Sequence, residues 1–149
     1  MNKGNLASIY SILGRDEAAV RLRREVYSGT LKLCGEQHES TLREANNYVV
    51  FLLTLDRHAE AKTLLRTSIP NARRTLGVEH DLTLNFRNLY ARCLCDDPSA
   101  SRGDVVDAIE IFEDVQRRVR RVFGPDHPNW RALPRELTAA RELLSSFDT

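Results

Sequence analysis

Gly35-Glu36-Gln37-His38-Glu39-Ser40-Thr41-Leu42 recurs as Gly77-Val78-Glu79-His80-Asp81-Leu82-Thr83-Leu84, with glycine, histidine, threonine and leucine each displaced by 42 positions. A third copy begins at Gly124-Pro125-Asp126-His127-Pro128. Between these stretches lies a second marker. Gly14-Arg15-Asp16-Glu17-Ala18-Ala19 lines up with Asp56-Arg57-His58-Ala59-Glu60-Ala61, and its third copy ends at Asp107-Ala108. The step from Ala61 to Ala108 is 47 positions, as is the step from Gly77 to Gly124, so five residues have entered between Leu94 and Ala108. The turn-forming run Pro98-Ser99-Ala100-Ser101-Arg102-Gly103 is their natural place, and it is expected to be exposed and mobile. Self-similarity at this period is the signature of a repeat architecture. It divides one domain, 1–149, into repeats over 1–37, 38–79 and 80–126 and a terminal helix over 127–149.

The segments between markers carry helical periodicity. Asn47 to Leu53 continue an apolar pattern from Leu42 and Ala45, and Ala61, Leu64, Leu65, Ser68 and Ala72 fall on one face of a helix. Thr41 with Glu44 three residues on has the form of a capping box, and Pro128 suits a first helical turn. Gly35, Gly77 and Gly124 each follow a helical run, where glycine supplies the left-handed conformation that stops a helix. The reading is helices near 2–13, 16–33, 40–55, 58–75, 82–95, 104–123 and 129–146. Pro70 and Pro134 predict kinks, or a late start for the last helix, because proline lacks a backbone donor and crowds the preceding turn.

Asn5-Leu6-Ala7, Tyr10, Gly14-Arg15, Glu17 and Ala19 resemble a tetratricopeptide repeat (TPR). The 42-residue period, longer than the usual length of about 34, together with Leu76 to Leu84 and Asn46-Asn47, is similar to the kinesin light chain subtype. Asp56 where glycine is usual, Tyr48-Val49 where Leu-Ala is usual, and the insertion depart from the pattern. The resemblance implies an all-α fold, a right-handed α-solenoid of antiparallel helix pairs, and a scaffold or adaptor that binds proteins rather than an enzyme. HEAT-like helical pairs are the structural alternative; the Gly-Arg and Glu-Ala markers weigh against them.

Composition points the same way. With 149 residues, 22 basic side chains and 21 acidic ones, the chain has no global field to draw it to nucleic acid or an anionic membrane. No apolar run is long enough to span a bilayer and the first residues lack a secretory core, so an intracellular, cytoplasmic protein without membrane insertion is expected. Cys34, Cys93 and Cys95 are an odd set of thiols without zinc-ligand spacing, and no metal site, cofactor or catalytic residue is expected. His38, His80 and His127 recur with the repeat and therefore read as builders of the turn, while His58 reads as an exposed residue of a polar turn. Trp130 and the five phenylalanines read as core, with a cap on the final repeat as the alternative for Trp130.

In a TPR-like stack the first helix of each pair lines the concave surface. Counted from Val49 and Ala91, its inward positions are Arg43, Asn46, Val50 and Thr54, then Asn85, Asn88 and Arg92, with Asp96 beyond; Gly4, Ser8 and Ser11 are their equivalents in the first repeat. Amides that donate and accept, and arginines that pair with carboxylates, predict a groove for an extended peptide segment, partly acidic, of another protein. The alternatives are a structural subunit of a multi-subunit complex working through its convex face and ends, and an RNA or anionic-surface contact through Arg117, Arg118, Arg120 and Arg121. Nucleic acid is disfavoured because neither interleaved aromatics nor a nucleic-acid motif accompanies that patch. The chain opens within a predicted helix, which implies either a fragment of a longer array or an edge covered by a neighbour.

Overall fold

The computed structural model describes Ile9, Ile12 and residues 14–149. Of the predicted helix over 2–13 only Ile9 and Ile12 are described, both helical; Asn5, Leu6, Ala7, Tyr10 and the groove positions Gly4, Ser8 and Ser11 lie outside the described residues. The chain divides into two compact units, Met1–Gly77 and Val78–Thr149. The first contains α1 (Asp16–Cys34), α2 (Glu39–Thr54) and α3 (His58–Leu76). The second contains α4 (Asp81–Asp96), α5 (Arg102–Phe123), a single 3₁₀ turn (Pro128–Trp130) and α6 (Leu133–Phe147). No strand occurs among the described residues. Within the first unit α2 packs on both α1 and α3; within the second, α5 packs on α4 and α6, and α4 also touches α6. Short connections between packed neighbours make these helices antiparallel hairpins.

The recurrent histidine is the start signal of a helix. His38, His80 and His127 each take extended backbone at the N-cap, and each Nδ1 accepts from the backbone N–H two residues on, at 3.0, 3.1 and 3.2 Å. One orphan donor of the first turn is satisfied by the same atom in every copy. Thr41 is therefore not a cap: it is the third residue of α2 and is buried, so the expected Thr41–Glu44 capping box does not form there. The box that does form is Ser101 with Asp104 at the start of α5.

The recurrent glycine is the stop signal, by a conformation other than the one expected. Gly35, Gly77 and Gly124 have φ of 86°, 98° and 86° but ψ of 165°, 160° and 171°. That combination is essentially restricted to glycine, unlike the left-handed helical region, which asparagine and aspartate also enter. Their N–H groups close the last turns on the carbonyls of Leu31, Arg73 and Arg120. The true left-handed residue is Asp56, at φ 58°, standing where the first marker has Gly14 at φ 76°.

The inserted residues divide between two places. The α2–α3 connection is Leu55–Arg57, whereas the α4–α5 connection runs from Asp97 to Ser101, and α5 has 22 residues where α3 has 19. Two of the five residues lengthen the loop and three add most of a turn to the helix, so Arg102 and Gly103 are helical. The loop is exposed at Pro98 and Ser99 but internally bonded: the Ser99 N–H and hydroxyl both donate to Asp97 Oδ1, at 2.9 and 2.8 Å.

Pro134 delays the last helix to Leu133 and sits in its first turn, as one of the two sequence alternatives has it. At Pro70 the helical run of α3 continues unbroken, with proline on the exposed side. Trp130 lies in the core of the second unit among Leu84, Phe112 and Leu137, and its Nε1 donates to Asp81 Oδ1 at 3.1 Å, tying the 3₁₀ turn to the start of α4. Buried indole needs such an acceptor.

Candidate partner-binding face

Helix periodicity separates two faces of α2. Leu42, Ala45, Val49 and Leu52 are buried, and the residues beside them in the helical net, Arg43, Val50 and Thr54, are exposed, with Asn46 half-buried. Arg43 pairs with Glu39 one turn earlier at 2.6 Å, an exposed pair easily exchanged for another carboxylate. The Thr54 hydroxyl donates to the Val50 carbonyl at 2.9 Å, turning its methyl group outward beside the 42% exposed Val50.

The equivalent face of α4 differs because α6 lies against it. Asn85 is half-buried, whereas Asn88 is only 7% exposed: its Nδ2 donates to Glu136 Oε2 at 3.1 Å, and its Oδ1 has no hydrogen-bond partner among the described residues. Asn88 is thus an internal link between α4 and α6 rather than an open groove amide. One turn on, Arg92 is half-buried and forms no ion pair with any described residue. Arg57, Arg87 and Arg118 are half-buried as well, and each holds at least one carboxylate.

Beside Arg92 a cleft of about 200 Å³ opens between α4 and α6. Phe112, Ala140 and Leu143 form its apolar wall, and Arg92, Asp96 and Glu136 its polar side. Glu136 is not among the residues that the sequence singles out, because those lie on the first helix of each pair. Its helical spacing with Ala140 and Leu143 was the available signal. Cys95 also lines the cleft; burial, then the nearby Asp96 charge, pushes its thiol up to about 11, so it is not a thiolate nucleophile at neutral pH.

The arginine cluster of α5 is largely occupied. Arg118 donates to Asp114 at 2.9 Å and pairs with Glu79 at 3.4 Å, Arg121 pairs with Glu79, and Arg117 with Asp114 at 3.4 Å. Asp114 also accepts from Arg87 of α4 at 2.6 Å. Burial alone would push the Asp114 carboxyl up, but its bonds to Arg87 and Arg118 outweigh burial and hold it below the usual carboxylate range. Arg120 is exposed with no carboxylate partner among the described residues.

His58 departs from its expected exposure. It is 8% exposed at the start of α3, at the repeat position that Val105 fills in α5, and its Nδ1 has no hydrogen-bond partner among the described residues. The described residues include no cluster of three or more metal-ligating side chains, and no helix among them is long and apolar enough to cross a membrane.

Helical pairs with a repeating cap and stop define the class of TPR-like folds, and comparison with known proteins gives the same class. The tetratricopeptide repeat family model matches residues 3–40 and 100–129. No curated protein matches the chain in sequence. Two solved structures of nearly identical TPR-like repeats from a kinesin light chain-type protein of Podosopora anserina, one of them a point variant, are similar to it. They show TM-scores of 0.81 and 0.80, 25% identity and 95% coverage of this chain. The chain spans 64% of the length of those structures. It therefore carries tetratricopeptide-type repeats similar to those of kinesin light chains, in the all-α solenoid fold class. Repeat folds of this kind generally act as protein–protein interaction scaffolds and are typically non-catalytic.

Proposed function

We propose that this chain is a non-catalytic binding module that receives an extended segment of another protein on the polar faces of α2 and α4. The observation that carries the reading is Arg92, a half-buried guanidinium beside a cleft that forms no ion pair with any described residue, whereas Arg57, Arg87 and Arg118 each hold a carboxylate. A partly desolvated cation without a partner is a ready site for a carboxylate or carbonyl oxygen. On α2, the exposed Arg43, Val50 and Thr54 with the half-buried Asn46 add a strip with one exchangeable charge and one apolar contact. Asn85 occupies the corresponding repeat position on α4, where Asn88 positions Glu136.

The second reading, an anionic surface held by Arg117, Arg118, Arg120 and Arg121, is weakened because three of the four are engaged by Asp114 or Glu79. Arg120 tests it cleanly, since its reversal breaks no ion pair. In a binding series with a partner captured by crosslinking to the chain, Arg92→Glu should weaken binding by about 2 kcal/mol and Asn46→Ala by about 1 kcal/mol, the scale of lost charged and neutral hydrogen bonds. Arg120→Glu should be silent. Loss of binding by Arg120→Glu alone would transfer the function to the α5 surface.

A further inference from the structure

The cleft between α4 and α6 has a chemistry of its own. Its volume, about 200 Å³, is below that of sites for small-molecule ligands and cofactors, roughly 300–1,000 Å³. It suits one long side chain. The wall of Phe112, Ala140 and Leu143 is apolar, but the rim carries two carboxylates, Asp96 and Glu136, against one guanidinium, Arg92, and Arg92 is ion-paired to neither. Glu136 spends one oxygen on Asn88 Nδ2, which restrains its rotamer while leaving Oε1 without a donor among the described residues. Asn88 itself, more than nine-tenths buried one turn before Arg92, has an amide oxygen with no hydrogen-bond partner among the described residues. Two carboxylates thus face one guanidinium around an apolar slot.

We infer that this cleft receives a lysine or arginine side chain of the bound segment, its methylene stem against Phe112, Ala140 and Leu143 and its cationic head between Asp96 and Glu136. The inference rests on the protein-binding reading and sharpens it. Long basic side chains bury an apolar stem while keeping the charge at a polar rim, which is the division of chemistry seen here. Arg92, on the same rim, then meets a carboxylate of the adjoining residue, so the preferred segment carries a basic residue next to an acidic one. An acidic side chain in the slot itself would face two like charges.

The test uses the whole chain, labelled with ¹⁵N, and three blocked hexapeptides identical except for their central pair: Lys-Asp, norleucine-Asp and Glu-Asp. The Lys-Asp peptide should shift the amides of Asp96, Glu136 and Ala139, with the norleucine peptide at least tenfold weaker. Glu136→Gln, which keeps an acceptor for Asn88, and Asp96→Asn should each weaken the Lys-Asp peptide severalfold and leave the norleucine peptide unchanged. Equal binding of Lys-Asp and norleucine-Asp would overturn the cationic occupant. If Glu-Asp alone binds and shifts α2 and α4, the cleft inference falls while the protein-binding reading stands. If none of the peptides shifts either face and Arg92→Glu leaves the crosslinked partner's affinity unchanged, both fall.

Discussion

The long second helices of the two units, α3 and α5, bury the same repeat positions with different chemistry. His58, Ala61, Leu65, Ser68 and Ala72 in α3 correspond, 47 residues on, to Val105, Ala108, Phe112, Val115 and Val119 in α5, and all ten are buried. Only the alanine at the close helix contact is shared. At the other four positions α5 presents a larger or more apolar side chain, so the second unit removes more apolar surface from water along this stripe. Ion pairs do not set the first unit apart: there Arg57 holds Glu17 of α1 at 2.9 Å and Glu60 of α3, and Arg24 reaches Glu60 at 3.6 Å, while in the second unit Asp114 holds Arg87 and Arg118 and Glu79 holds Arg118. The more exposed of these pairs contribute little each, about 0–1 kcal/mol. One repeat register can thus hold a larger apolar stripe in one unit than in the other, because the register specifies which positions are buried but not how much apolar volume they contain.

Core truncation tests that contrast most strongly. Phe112→Ala should cost about 3–5 kcal/mol and Leu65→Ala about 2–5 kcal/mol, through lost transfer energy and the cavity left behind. Hydrogen exchange in the two variants should show each loss confined mainly to its own unit. Starting protection should be higher for α5 amides than for α3 amides; the reverse order would break the comparison.

Acid should next single out the second unit, through Asp114. Its carboxyl is held below the usual range, so the stability it contributes is complete above the unfolded value of about 3.9 and is lost as pH falls through the lower folded value. Asp114→Asn should remove about 1–2 kcal/mol at neutral pH, the scale of a charged hydrogen bond in a partly exposed site. The deficit should shrink below pH 4. An unchanged acid limb in the variant would mean that Arg87 and Arg118 gain nothing from this carboxylate.

The smallest effect should be the one that the two units share. His38→Ala and His80→Ala should each cost about 1 kcal/mol, the usual worth of a helix N-cap, and asparagine at either position should restore most of it. Unequal losses in urea melts would show that the cap carries more in one unit than its hydrogen bond explains.

Much of the fold was readable because it is written in local chemistry. His38, His80 and His127 cap, Gly35, Gly77 and Gly124 stop, and the apolar stripes between them set the helices, all through contacts within a few residues. The capping role of the imidazole was legible only as recurrence, since Thr41 and Glu44 offered a more familiar pattern one turn too late. The exposed face of α2 followed from spacing alone, because no described residue of its unit covers Arg43, Val50 or Thr54.

The amino-acid sequence by itself determined the repeat, the helical class and the side of each helix that turns from the core, since these depend on period, propensity and the special backbone of glycine. Only tertiary packing decided what that side holds. Asn88 and Glu136 are 48 residues apart and meet because α6 lies against α4. That contact removes an amide from the open face and sets a carboxylate into the rim of a cleft, beside an Arg92 that pairs with no carboxylate among the described residues. His58 is buried for a similar reason, occupying the place that Val105 fills in α5. Local rules state which atoms each residue offers, but whether an atom is satisfied depends on neighbours that only the folded chain brings within reach.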